Sequence, residues 1–416
     1  MKAALAVAGL AAAAYLPSLW GVFHFDDYNV IVHYDTVHSW SALAERWGGG
    51  VRPLLKASYT LNWTLGGGFH LLNIALHAMN AVLLFFIGER LFRDRRAALV
   101  AALLFALHPA ATEAVTYISG RSASLMATFY LGAMLAYLRG THWSVSSSLF
   151  MLAVATRETA VTLPAALLLC ELCRGERPAW REILRRQWVH WTLLLAGGLF
   201  LLLNQRYFDL VAYGFGERSL ADNLLTQVGG VSYLVLRLVS LHGYNIDPAL
   251  PTLTEWTPAL VLQAFLLTTL LIIGIANLRR RPWIAFGVLW FFLQLAPTNS
   301  IVPRLDVAND RQLYLASWGL FLALCMQLRN LPNFVFGGLV ILFAATSIAR
   351  QLDYRSEIVL WESSVALAPW NARGHNNLGY AYQLAGRGPE ARREYQAALL
   401  FDPRHAKARL NLHFLK

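Results

Sequence analysis

The stretch "MKAALAVAGLAAAAYLPSLWGVFHFDD", residues 1 to 27, opens with an apolar run that reaches Trp20 and closes on two adjacent carboxylates, Asp26 and Asp27. The run from 3 to 20 has about the length that crosses a hydrocarbon core of roughly 30 Å. Its alanines imitate a signal-peptide cleavage site, but the aromatic belt that begins at Trp20 favours a retained first helix. The chain beyond it has the same character. Of its 416 residues 57% are hydrophobic and 14% charged, and the mean hydropathy is +0.44, which is membrane rather than soluble composition.

Apolar segments recur near 3 to 20, 71 to 92, 97 to 118, 122 to 138, 144 to 156, 159 to 173, 190 to 205, 257 to 277, 283 to 297, 313 to 329 and 331 to 349. The sequence thus predicts an all-α, polytopic membrane helix bundle of about eleven spans. One further stretch, 223 to 242, would break the parity and reads as a re-entrant or interfacial helix packed on protein. The net charge of +11 is concentrated in juxtamembrane clusters such as "RDRR" (93 to 96) and "LRRR" (278 to 281), the pattern of topology signals rather than of a nucleic-acid surface. The positive-inside rule places these clusters in the cytoplasm, with the N-terminus inside and the C-terminus outside. Cys170 and Cys173 lack the second pair of ligands a zinc site needs and, with Cys325, read as packed or lipid-facing thiols.

The same parity gathers acids and arginines on the outer face. There lie Asp26 and Asp27, "HPAATEAVTYISGR" (108 to 121), "TRET" (156 to 159), a loop at 204 to 219, and "PTNSIVPRLDVANDRQLY" (297 to 314). Arg121, Arg157, Arg304 and Arg311 oppose the positive-inside bias, and cations kept in such places have partners. Phe23, Phe25 and Tyr28 surround the acidic pair and lower its local dielectric. Plain structural roles compete with these readings: His108 as a capped, hydrogen-bonded histidine, Glu113 as the ion-pair partner of Arg121, and Arg311 as that of Asp310.

After Arg350 the composition turns soluble. With Ala372 as position one of a 34-residue unit, Leu378, Gly379, Tyr382, Ala391, Tyr395, Ala398 and Pro403 take the consensus places of a tetratricopeptide repeat. Trp361 and Pro369 echo Tyr395 and Pro403 one repeat earlier. The expected organisation is a membrane domain over 1–350 and a repeat tail over 351–416. About two repeats are visible, fewer than the roughly three that stand alone, so the tail needs the membrane domain or a partner to cover it.

The series "FDD", "RPLLKASYTLNW", "LFALHPAATEAVTYISGRSASLMA", "RETAVTLP" and "DRQLYLASWG", ending in the repeats, resembles the membrane O-mannosyltransferases with tetratricopeptide repeats, and more broadly the GT-C glycosyltransferases. The arginine-rich composition and short loops point to a bacterial member, located in the inner membrane with its tail in the periplasm. The resemblance implies transfer of a sugar from a polyprenyl phosphate carrier to an acceptor hydroxyl, with Asp26 by position as general base and Asp27 as the second acid. It also implies donor-phosphate or substrate contacts by Arg121, Arg157, Arg304 and Arg311, with His108, Glu113, Glu158 and Tyr314 completing the set. Some members of the superfamily hold a divalent metal at the acidic pair, which leaves a metal ion at Asp26 and Asp27 open. A protein acceptor is the implied partner. Transfer to a lipid or polysaccharide, and a non-catalytic scaffold working through its repeats, are the alternatives.

Overall fold

The computed structural model describes residues 1–47, 51–175, 178–203 and 205–415, and among them every regular element is helical. Four segments, Lys2–Trp20, Phe69–Phe92, Pro258–Ala276 and Asn333–Arg355, are each long and apolar enough to cross a membrane. Trp143–Thr156 and Pro282–Leu295 are shorter apolar helices. Arg121–Leu138 and Leu313–Gln327 lie deep in the bundle, their apolar side chains buried nearly all round. At the bundle centre Trp290 and Trp318 are fully buried, edge to face with ring centroids 5.4 Å apart. A Cβ on Gly319 would come within 2.5 Å of the Trp290 ring, so only glycine lets that indole lie against the neighbouring helix.

Two expectations are corrected. The stretch expected as one straight span at 97 to 118 is a helix over Arg95–Leu107 that bends by 57° into a second short helical segment, Pro109–Val115. The cause is local: Pro109 has no N–H to continue the ladder, and the residue before a proline is pushed out of the helical region. His108 accordingly has ψ 135°. The second correction concerns 204 to 219, expected as a loop; helix Gln205–Glu217 occupies most of it, following Trp180–Leu203. The stretch 223 to 242 falls in helix Leu220–Ser240, whose polar residues turn toward protein. The Asn223 amide donates to Ser300 O at 2.8 Å, and Asn299 donates to Gln227 at 2.9 Å.

The tail continues as Glu357–Leu367, Ala372–Leu384, Gly388–Phe401 and Ala406–Phe414. Leu378, Tyr382, Ala391, Tyr395 and Ala398, all at consensus positions, are buried between these helices. The tail lies on the membrane part rather than apart from it. Asn371 donates to Asp247 O at 2.9 Å, and Ser364 donates to Asn245 at 2.6 Å.

Candidate functional site

The loop after the first helix carries the acidic pair in a strained conformation. Phe25 has φ 42°, a left-handed value that costs a non-glycine residue on the order of 1 kcal/mol and persists only where the surroundings fix it. Asp27 provides part of that fixing. Its Oδ1 accepts from the Ser119 amide at 2.8 Å and from the Ser119 hydroxyl, and its Oδ2 accepts from the His24 amide at 2.9 Å. The turn that presents Ser119 requires Gly120, where a Cβ would lie 2.1 Å from Glu113 O. Burial pushes the Asp27 carboxyl up to about 6, with the bonds from Ser119 and His24 acting in the opposite direction.

Asp26 is placed differently. Its backbone amide donates to the Tyr117 hydroxyl at 2.9 Å, and its side chain faces a cavity of about 300 Å³. Arg52, Lys56, Arg157, Arg304 and Arg311 line the same cavity, with Tyr34, Tyr59 and Ser122. Five cations therefore surround a single lining carboxylate. Two arginines are aimed by acids from distant parts of the chain. Arg52 is held bidentately by Glu158, with its Nη2 2.8 Å from Oε2. The Arg311 amide donates to Glu113 Oε2 at 3.0 Å, and its Nε lies 3.5 Å from Oε1. Arg157 is only 6% exposed, and its buried Nε has no hydrogen-bond partner among the described residues. A buried unpaired guanidinium N–H costs free energy unless a ligand accepts from it, and an oxyanion in the cavity is the acceptor this donor set suits.

The structure thus brings together Asp26, Arg157, Arg304 and Arg311, with Glu113 and Glu158 behind two of the cations. It sets three other candidates apart. Arg121 is fully buried outside the cavity: its Nε donates to Asn73 at 2.7 Å, Nη1 to Ser58 O at 3.0 Å and Nη2 to Phe69 O at 2.9 Å. Its fork is filled by carbonyls that join three helices, and it forms no pair with Glu113. His108 is buried against Phe321 and Phe343, its Nε2 3.2 Å from Leu238 O and its Nδ1 accepting from the Ala110 amide. That is the capped histidine of the structural reading. The Tyr314 hydroxyl is 2.9 Å from His77 Nδ1 and accepts from Asn80 at 3.0 Å, beside a recess of only 30 Å³ behind Arg157 and Arg311. The expected pairing of Arg311 with Asp310 is also replaced, since Asp310 accepts from the Asn245 amide and the Tyr233 hydroxyl.

Arg52 and Lys56 were not among the sequence candidates. The signal was present: both lie, as Asp26 does, between the first apolar segment and the next, so the expected topology puts them on the same face. The acidic pair does not fit a shared metal ion. Both Asp27 oxygens are already engaged, Asp26 faces the arginines instead, and no three metal-ligating side chains cluster among the described residues. The three cysteines are buried and none is in a disulfide among the described residues.

Fold and cavity define an all-α, multi-pass membrane protein with a cationic site at one end of the bundle. Residues 51–190 match the family model described as Mannosyltransferase (PIG-V). Protein O-mannosyl-transferase Tmtc1 of Drosophila melanogaster is 36% identical over 197 residues, covering 42% of this chain and 23% of that protein. Protein O-mannosyl-transferase F38B6.6 of Caenorhabditis elegans is 24% identical over 434 residues, or 94% of this chain and 61% of the relative. For protein O-mannosyl-transferase TMTC4 of Homo sapiens the figures are 25% over 473 residues, 91% and 63%. The chain is similar over nearly its whole length to protein O-mannosyl-transferases, at modest identity, and spans 23% to 63% of the length of these relatives.

Proposed function

We propose that this protein is an inverting glycosyltransferase that moves a sugar from a polyprenyl phosphate carrier to a serine or threonine hydroxyl of a protein at the periplasmic face. The observation that carries the reading is the cavity in which one carboxylate, Asp26, faces five cations, one of them Arg157 with an unsatisfied N–H. In this reading Asp26 takes the acceptor hydroxyl proton as the oxygen attacks the anomeric carbon. The bond from that carbon to the phosphate oxygen breaks with its electron pair on the phosphate. Arg157, Arg304 and Arg311 stabilise the charge that develops there, and their planar forks match phosphate oxygens without losing a proton. One displacement on one face inverts the anomeric configuration. Asp27 acts on the loop and does not touch the reactants.

The relatives' names make mannose the first sugar to test. Purified protein in detergent is incubated with radiolabelled polyprenyl phosphate mannose and an acceptor protein, and label in the protein fraction is measured. Label that goes instead to lipid or polysaccharide would replace the protein acceptor. No transfer and no donor binding would overturn the enzyme reading in favour of a scaffold.

A further inference from the structure

The tail reaches both halves of the cavity wall. Glu357, in the first turn of helix Glu357–Leu367, accepts from the Phe25 amide at 3.1 Å through Oε1, and the same oxygen lies 2.9 Å from His24 Nδ1. Its other oxygen accepts from Trp361 Nε1 at 2.9 Å, and Trp361 packs edge to face on Phe25 at 5.4 Å. His24 is completely buried, and its second nitrogen faces Tyr354 O at 2.8 Å. Both residues preceding Asp26, including the one with left-handed φ, are therefore held by the tail and the short segment leading into it. On the other side Arg373, from helix Ala372–Leu384, forks onto Asp247 at 2.6 Å and reaches Asp306 at 2.8 Å. Asp306 sits in the loop that carries Arg304 and Arg311.

We infer that the tail is a clamp that assembles the transfer site, with Glu357 a positioning residue for Asp26 and Arg373 a positioning residue for the arginine loop. The physical reason lies in the strain at Phe25. A residue in a sparsely populated backbone region relaxes when its partners are removed, and Asp26 is the next residue along the chain. Neither Glu357 nor Arg373 lines the cavity, so each acts through the loop it holds. The catalytic part of this inference rests on the glycosyltransferase reading above; the mechanical part does not.

The test uses the full chain with Glu357→Ala, Glu357→Gln and Arg373→Gln. Hydrogen exchange of the peptide spanning 21 to 30 is followed beside that of helix Gly388–Phe401, which monitors folding of the tail. Glu357→Ala should raise exchange in 21 to 30 at least about fivefold while Gly388–Phe401 stays protected. Its turnover should fall about tenfold or more with donor KM within about twofold. Glu357→Gln, which keeps an acceptor for the Phe25 amide, should recover part of both. Arg373→Gln should instead raise donor KM, because it frees the phosphate-binding loop. Unchanged exchange at 21 to 30 in Glu357→Ala would overturn the clamp, whatever the activity. Raised exchange with parental turnover would overturn the positioning role and leave Glu357 a structural contact. Failure of the parent protein to transfer sugar would count against the proposed function alone, since the exchange measurement stands without it.

Discussion

Arginines gather at both ends of the bundle, and the two gatherings are built differently. At the end opposite Asp26, Arg90, Arg93, Arg95, Arg139, Arg174 and Arg329 rim a cavity of about 1190 Å³, with Glu89 the single acid in its wall. All but Arg174 are exposed. Their acidic partners are near in sequence: Arg95 pairs with Glu89, six residues away, and Arg174 with Glu171, three away, while Arg139 lies over the Phe86 ring. At the Asp26 end two of the cations are aimed by acids from remote segments, Glu158 for Arg52 and Glu113 for Arg311, and Arg157 is buried with an N–H that has no partner among the described residues. Exposed arginines hydrated at a membrane surface are topology signals. Arginines desolvated and oriented by remote acids have been given a fixed geometry, which is what an anionic ligand requires.

The largest effect expected from this contrast is at Asp26. Asp26→Asn should lower turnover roughly 10²- to 10⁴-fold, the usual contribution of a general base, with donor binding retained. A well-folded variant that kept about a third of its turnover would remove Asp26 from that role. Next come Arg157→Lys and Arg311→Lys, which keep the charge but lose the fork. Each should lower kcat/KM for the donor by about tenfold or more, equivalent to about 1.4 kcal/mol. Parental kinetics in both would return these residues to structure.

Arg121→Lys sharpens the comparison from inside the same face. It strips hydrogen bonds from Asn73, Ser58 O and Phe69 O, each buried acceptor costing on the order of 1 kcal/mol or more when abandoned. The melting temperature should fall by several degrees, while donor KM of the folded fraction stays within about twofold. A raised KM without loss of stability would place Arg121 at the ligand after all.

A separate effect, on stability rather than activity, is expected from pH at Asp27. Its carboxyl moves from an ordinary value of 3.8 to about 6 in the fold, so the folded state binds this proton more tightly than the unfolded chain. The resulting stabilisation is complete below 3.8 and is lost as pH rises through about 6, a swing on the order of 3 kcal/mol. Melting curves of parent and Asp27→Asn between pH 4 and 7 should therefore converge in slope only above about 6, with the parent falling more steeply below it. Parallel curves would remove the shift. The smallest effect belongs to the opposite end: Arg93→Gln, Arg139→Gln and Arg329→Gln together should change turnover less than about twofold. A tenfold loss would erase the distinction between the two ends.

Asp26, Arg157, Arg304 and Arg311, which line one cavity, were legible in the sequence as charges beside the ends of apolar runs, a pattern visible without coordinates. That pattern did not separate them from Arg121, which shares it. Charge and position are properties of the chain; whether a guanidinium faces a cavity or is filled by two backbone carbonyls and an asparagine amide oxygen depends on which helices meet there.

By itself, then, the sequence determined the membrane character, the helical class and the periodic apolar pattern of the tail. Each of these follows from local composition, from a period along the chain, or from the lengths of apolar runs. Only the tertiary structure decided that Asp27 is a loop anchor and Asp26 the acid facing the cations. It also decided that Glu158 orients Arg52, and that Glu357 grips the loop at His24 and Phe25 from 333 and 332 residues away. Partnerships over such distances are fixed by packing, because a carboxylate selects the donor that folding brings within hydrogen-bond reach, and nothing along the chain between them encodes that meeting.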